Sequence, residues 1–269
     1  MDKKLNPSVV PKVLAVVEPD GVKAKYHHPH LPCVGCGVPG GGALMLMLAP
    51  VKVGKSTIIS NMLLNDNFFG QSFFQDVQII SNTIKNDITS RFLNRAFNVY
   101  DYYSDDIIEG LINRQKSVSK ENQLETALIL DDCLGSIKRE SKINHLASRY
   151  RHFNIKLLVI SSQKFKGSVS PIIRANATDV TVGSPFPNQK ELLAIADEYG
   201  DLFGGSDNWM KIYRQATPNK YDFLYMDLQS NPPLAYHNFE KQIAVGGYAK
   251  TDEEIKDDKV NNVEEEIKK

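Results

Sequence analysis

The run Ala49-Pro50-Val51-Lys52-Val53-Gly54-Lys55-Ser56-Thr57 has the residue types of a phosphate cradle. It joins Leu44–Leu48, which reads as a buried strand, to Ser56–Leu64, which reads as the following helix. In such a turn the backbone N–H groups and the helix N-terminus point at phosphate oxygens. Lys55 then reaches the β- and γ-oxygens, and the Ser56 hydroxyl takes a Mg²⁺ position. Gly54 lets the backbone pass close to the ligand. The pattern GxxxxGK[S/T] calls for glycine where this chain has Ala49, so the strict pattern is not met. If the turn needs a positive φ there, Ala49 is strained by about 1 kcal/mol. Taken alone, Gly54-Lys55-Ser56 is short enough to recur by chance at an ordinary helix start.

A second run, Ala127-Leu128-Ile129-Leu130-Asp131-Asp132, strengthens the nucleotide reading. Its continuous apolar part suits a strand buried on both faces of a parallel sheet, and it ends in two carboxylates. The C-terminal ends of strands are where open α/β sheets bind ligands. There Asp131 would belong to the Mg²⁺ shell and Asp132 would orient or deprotonate the attacking water. A solvated acidic turn is the plain alternative, and a phosphate loop upstream at domain-scale separation argues against it. A third apolar run, Leu157–Ser162, ends in Gln163, whose amide could sense the γ-phosphate or place water.

These residues need a sheet to bring them together. The strand candidates are Leu44–Leu48, Val77–Ser81, Asn98–Tyr102, Leu128–Leu130, Lys156–Ser161, Asp179–Val182 and Phe223–Leu228. Helical spacing marks Ser56–Leu64, Asn86–Ala96, Asp105–Gln115 and Asn188–Tyr199 between them. The alternation predicts an α/β fold with a mostly parallel central sheet flanked by helices. Residues 1–42, rich in Pro and Gly, read as an irregular arm, and 43–248 as one nucleotide-binding domain. Residues 249–269 read as a charged tail; from Lys250 to the end, five lysines face eight acidic residues. At 269 residues the chain can bury about three-quarters of its unfolded surface. Zero net charge excludes a general basic coat, so any nucleic-acid contact must be local. No apolar run approaches the roughly 20 residues of a membrane span. Three cysteines and a polar start predict a reducing, intracellular setting.

The ordered set of phosphate loop, strand ending in Asp131-Asp132, Arg151-His152-Phe153-Asn154, strand ending in Gln163, and Pro171-Ile172-Ile173-Arg174-Ala175-Asn176 resembles the genome-packaging ATPases of large double-stranded DNA viruses and virophages. These form part of the FtsK/HerA branch of P-loop motors. The resemblance spans roughly residues 28–184. It implies a P-loop NTPase fold of the RecA-like kind, ATP and Mg²⁺ as cofactors, double-stranded DNA as the translocated partner, and a homo-oligomeric ring. It also implies a capsid or portal protein as a further partner, and a place in the host cytoplasm, a viral factory or the virion, with no membrane attachment. In such rings an arginine reaches into the neighbour's site. Arg151 ranks first for that role, Arg174 second, and Arg149 is a further candidate. Asp132 stands where many such motors have Glu, a shorter reach to water. A cellular HerA-like or conjugation-type DNA pump shares these motifs, and a catalytically silent nucleotide-binding structural protein is the alternative of a different class.

Other signals carry less. Cys33 and Cys36, after His27, His28 and His30, have the spacing of half a zinc site, but no second cysteine pair exists. The same CxxC lacks the following helix of a redox motif. Tyr100, Tyr102 and Tyr103 read as strand packing rather than base stacking. Lys138, Arg139, Lys164 and Lys166 follow sheet strands, where phosphate contact is plausible and a solvated loop is the plainer reading.

Overall fold

The computed structural model describes residues 31–34, 41–84, 91–133, 135, 137–138 and 140–245. The expected arm and tail, His27, His28, His30, Cys36 and Arg139 lie largely or wholly outside these. Cys33 is disulfide-bonded.

Nine strands form one sheet. They are β1 (Ala43–Leu48), β2 (Asp76–Ser81), β3 (Asn98–Tyr100), β4 (Thr126–Asp131), β5 (Ile155–Ser162), β6 (Asp179–Gly183), β7 (Phe223–Asp227), β8 (Leu234–His237) and β9 (Lys241–Ile243). The helices are α1 (Lys55–Leu64), α2 (Arg91–Ala96), α3 (Asp105–Lys116), α4 (Lys142–Ala147), α5 (Pro171–Asn176), α6 (Gln189–Tyr199) and α7 (Ser206–Ala216). The sheet order is β3-β2-β4-β5-β1-β6-β7-β8-β9. The first six pair in parallel, and β7, β8 and β9 extend the sheet antiparallel from β6.

The central strands are apolar at successive positions because both faces are covered. Leu44, Leu46 and Leu48 of β1 enter one core, with Leu128, Leu130, Leu158 and Ile160. Met45 and Met47 enter the other, with Ile129, Leu157 and Val159. Helices α3 to α7 contribute to the first layer, and Trp209, Ile212, Tyr213 and Ala216 of α7 lie in it. Ile59, Met62 and Leu63 of α1 and Leu93 of α2 help close the second.

Local chemistry starts several helices. Ser104 accepts from Asp106 N at 3.1 Å to cap α3, and Asn188 accepts from Lys190 N and Glu191 N to cap α6. Ser170 accepts from Ile173 N, with Pro171 opening α5. Helix α1 has no side-chain cap and begins after Gly54, at φ 95. Its first N–H groups precede the first intrahelical bond, Ile58 N to Gly54 O, and so have no partner within the helix.

The strand expected over Asn98–Tyr102 ends at Tyr100 because the chain turns to place Ser104 as a cap. Tyr100 and Tyr103 pack against the core, whereas Tyr102 is exposed. Of the helix expected over Asn86–Ala96, residues 91–96 are helical and 86–90 lie outside the described residues. Helices α4, α5 and α7 and strands β8 and β9 have no counterpart in the sequence-based expectation. For α7 a signal exists, since Trp209, Ile212, Tyr213 and Ala216 recur at helical spacing. Among the described residues no helix is long and apolar enough to cross a membrane.

One buried acid makes stability depend on pH. Asp179 accepts from Tyr225 Oη and Thr178 Oγ1, each at 2.6 Å. Burial pushes its carboxyl from 3.8 to about 7, against the pull of those hydrogen bonds. The folded-state value lies above the unfolded one. Its contribution is therefore complete below the unfolded value and is lost as pH rises through about 7. Denaturation midpoints of the wild type should fall between roughly pH 4 and pH 8 more steeply than those of Asp179→Asn, which has no proton to lose there. Equal slopes would show that Asp179 does not titrate in this window.

Candidate nucleotide site

The parallel order sets the C-terminal ends of β1, β4 and β5 side by side. Leu48 pairs with Ser162 across β1 and β5, and Ser81 pairs with Asp131 across β2 and β4. The turn after β1, the carboxylates after β4 and the amide after β5 therefore meet on one edge.

Lys55 is buried at the mouth of the turn. Its Nζ donates to Ala49 O at 2.9 Å and Pro50 O at 3.1 Å and pairs with Asp132 Oδ2 at 3.4 Å. Three oxygens thus hold the amine where the turn and the carboxylates converge. Ser56 Oγ donates to Asp131 Oδ2 at 3.4 Å, which brings the two expected metal ligands together. Asp131 is only 5 % exposed. Its other oxygen accepts from Ser161 Oγ at 2.5 Å, and Ser81 Oγ reaches Oδ2 at 3.5 Å. Burial pushes its carboxyl up; the Ser161 hydrogen bond opposes this, the neighbouring Asp132 charge adds to it, and Lys55 pulls down.

Asp132 has φ 52, a left-handed conformation that Asp tolerates. Its N–H donates to Ser161 Oγ at 3.1 Å, and its carboxylate stays 18 % exposed. Gln163 Nε2 donates to the same Oδ2 that faces Lys55, at 3.3 Å. One carboxylate oxygen is thereby held from two sides, and the carboxylate remains open to solvent.

Sequence reasoning missed three supporting residues. Ser161 links Asp131 to the Asp132 backbone, and Ser81 approaches from β2. A polar pair, Ser161-Ser162, closing an otherwise apolar strand was the available signal. The third is Gly183. A Cβ there would lie 2.7 Å from Ala49 Cβ and 3.0 Å from Val53 Cγ1. The strain expected at Ala49 is not found, because left-handed backbone falls on Lys52, at φ 62, and Gly54. The extra methyl is accommodated by the missing side chain on the adjacent strand.

Cys133 is not a nucleophile here. Its Sγ donates to Ile80 O at 3.0 Å and to Asp131 O at 3.2 Å, and burial pushes its thiol up to about 12.

The arginines lie apart from these groups. Arg151 belongs to the turn that feeds the start of β5, whereas Gln163 follows its other end. The eight residues of β5 separate the two by on the order of 25 Å. Arg151 is exposed, and its Nε donates to Tyr150 Oη at 3.0 Å. Arg174 is 13 % exposed and bound to Glu198 of its own chain at 2.6 Å, with its guanidinium over Phe165. Arg149 is exposed beside Tyr150, and Lys138, Lys164 and Lys166 are exposed on their loops.

No protein-family model matches this chain, and no curated protein matches it significantly. Solved structures do. The DNA-packaging ATPase B204 of Sulfolobus turreted icosahedral virus is similar at TM-score 0.54 and 16 % identity, over 74 % of this chain and 98 % of that one. The genome-packaging NTPase B204 of Sulfolobus turreted icosahedral virus 2 is similar in its complex with AMP at TM-score 0.53 and 20 % identity, over 74 % and 98 % of the two chains. Its complex with AMPPCP gives 0.51 and 21 %, over 72 % and 96 %. The likeness is one of fold, and the α/β fold that the sequence resemblance implied is the one these NTPases share with the chain.

The contact between Ala49 and Gly183 is directly testable. Gly183→Ala should cost about 1–3 kcal/mol through overpacking. Adding Ala49→Gly should recover most of it, read as a coupling energy in a double-mutant denaturation cycle. Strictly additive effects would show that the two residues do not compete for the same space.

Proposed function

We propose that this chain is a Mg²⁺-dependent ATPase that translocates double-stranded DNA into a viral capsid as a homo-oligomeric ring. The observation that carries the reading is the meeting of Lys55, Ser56, Asp131, Asp132 and Gln163 at one sheet edge.

The residues fit the nucleotide and the ion. The N–H groups at the start of α1 are unpaired within the helix, and Gly54 carries open space where a Cβ would stand. Among the described residues no group of three or more His, Cys, Asp or Glu could hold a metal by itself. The Ser56–Asp131 pair instead suits an ion that takes most of its ligands from phosphate and water. Mg²⁺ would neutralise charge on the β- and γ-oxygens. Lys55 would hold the same phosphates from the protein side. Asp132, partly exposed and backed by the Gln163 amide, would orient the attacking water and accept its proton. Ser161 would keep Asp131 and the Asp132 backbone in register during that step.

Arg151 is too far from its own chain's Asp132 to act there, which supports a role across a subunit interface. Arg174 is the weaker choice because Glu198 already neutralises it. Exposed Lys164 and Lys166 follow β5 on the catalytic edge, where a ring could present them to DNA phosphates. The capsid destination rests on the sequence resemblance and the fold shared with packaging NTPases.

Steady-state ATPase activity with Mg²⁺, with and without linear double-stranded DNA, tests this reading. DNA should stimulate turnover, and Lys55→Ala should lower it by about 100-fold or more. Near-normal turnover in that variant would sink the site assignment, and nucleotide binding with no turnover in an assembled wild-type ring would make the chain a structural protein. Mixing Arg151→Ala with wild-type subunits should depress activity more steeply than dilution does. A linear loss would count against a shared site.

A further inference from the structure

Arg151 sits in a single 3₁₀ turn, Tyr150–Phe153, that runs into β5. Among the described residues no carboxylate forms an ion pair with it. Two other arginines differ. Arg114 is paired with Asp76, and Arg174 with Glu198, each within the same chain. A guanidinium paired in that way has its charge largely neutralised before any phosphate reaches it.

What holds Arg151 is a neutral group. Its Nε donates to Tyr150 Oη at 3.0 Å, and its guanidinium carbon lies 5.3 Å from the centre of the same ring. The phenol accepts that bond while donating its own proton to Gly42 O at 3.0 Å. These roles are fixed, since a carbonyl only accepts and a guanidinium only donates. Burial raises the Tyr150 hydroxyl above its ordinary value, against the pull of Arg151, so the proton stays on the phenol. Tyr150 uses Nε alone, which leaves the two Nη groups for an anion.

The tyrosine is built into the core as a fixed post. It is 3 % exposed and belongs to the same buried cluster as Leu158 and Ile160. Gly42 leaves room for it, because a Cβ there would lie 3.2 Å from Tyr150 Cε2 and 2.9 Å from Ile155 O. The hydroxyl is thus anchored to the backbone immediately before β1, the strand that leads to the phosphate turn. An exposed arginine otherwise loses rotamer freedom when it engages a ligand, and a bond at Nε together with a ring face removes part of that freedom beforehand. Such fixed geometry matters most for a group that must meet charge developing in a transition state.

We propose that Tyr150 is a positioning residue for Arg151: it orients the guanidinium toward the neighbouring subunit's terminal phosphate without neutralising it. The proposal rests on the reading of Arg151 as the arginine that acts across a subunit interface.

ATP turnover of the full, assembled chain tests this in a double-mutant cycle of Tyr150→Phe and Arg151→Ala. Phenylalanine keeps the ring face and removes only the hydroxyl. Tyr150→Phe should lower kcat by about 5- to 10-fold and leave KM for ATP within about 2-fold, because the lost interaction acts in the transition state. Arg151→Ala should lower kcat further, by about 100-fold or more. In that background Tyr150→Phe should cost nothing more, because no guanidinium is left to orient. A merely structural hydroxyl would instead lower turnover by the same factor in both backgrounds, and that result would overturn the proposal. So would a normal kcat in Tyr150→Phe beside an impaired Arg151→Ala, which would leave the reading of Arg151 standing. A normal kcat in Arg151→Ala would remove that reading and the proposal together.

Discussion

A strand buried on both faces can keep its polar side chains only near its ends, and that constraint organises this molecule. β1, β4 and β5 have no solvated face, so their middles are Leu, Ile, Met, Val and Ala. Their C-terminal ends carry Ala49, Asp131-Asp132 and Ser161-Ser162-Gln163. Parallel pairing puts those ends on one edge, because each crossover connection returns the chain to the same starting side. The site is a consequence of how the core is covered.

At that edge the Asp131 carboxylate is the common partner. Ser56, Ser81 and Ser161 all approach it, and Ser161 also receives the Asp132 N–H. A buried carboxylate without such donors would carry a large desolvation penalty. Three hydroxyls from three elements offset part of it and at the same time lock α1, β2, β4 and β5 in mutual register. The more exposed Asp132 is held differently. Lys55 and Gln163 meet at one oxygen, so its orientation follows from both the turn after β1 and the loop after β5.

The phosphate turn shows how an apparent departure from a motif is absorbed elsewhere. An alanine replaces the expected glycine at position 49, yet its backbone is not left-handed, and its methyl rests where Gly183 has no side chain. Two residues more than a hundred positions apart share one small volume. The same Gly183 carbonyl accepts from Tyr213, which connects the turn to α7. The phosphate turn and the β6 flank are therefore one packed unit.

Local chemistry by itself determined the central strands, the helices with long apolar periods, the phosphate turn and the carboxylate pair. Continuous apolar runs, capping residues and a Gly-Lys-Ser turn express short-range physics. Leu44–Leu48, Asp105–Gln115 and Asn188–Tyr199 were legible for that reason. Tertiary structure alone decided what depends on neighbours distant in sequence. The antiparallel strands β8 and β9 are four and three residues long, too short for a period, and exist because β7 offers an edge. The short helices α4 and α5 are held by packing beyond their own propensity. Gly183 is unremarkable in the sequence because its role is a contact across the sheet, and the Ser161-Ser162 pair marks a polar strand end without naming its partner. The opposite placements of Arg151 and Gln163 follow from the direction of β5, which no motif records. Spacing can name groups able to do chemistry, but distance between them is set by strand order, and strand order is a property of the whole core.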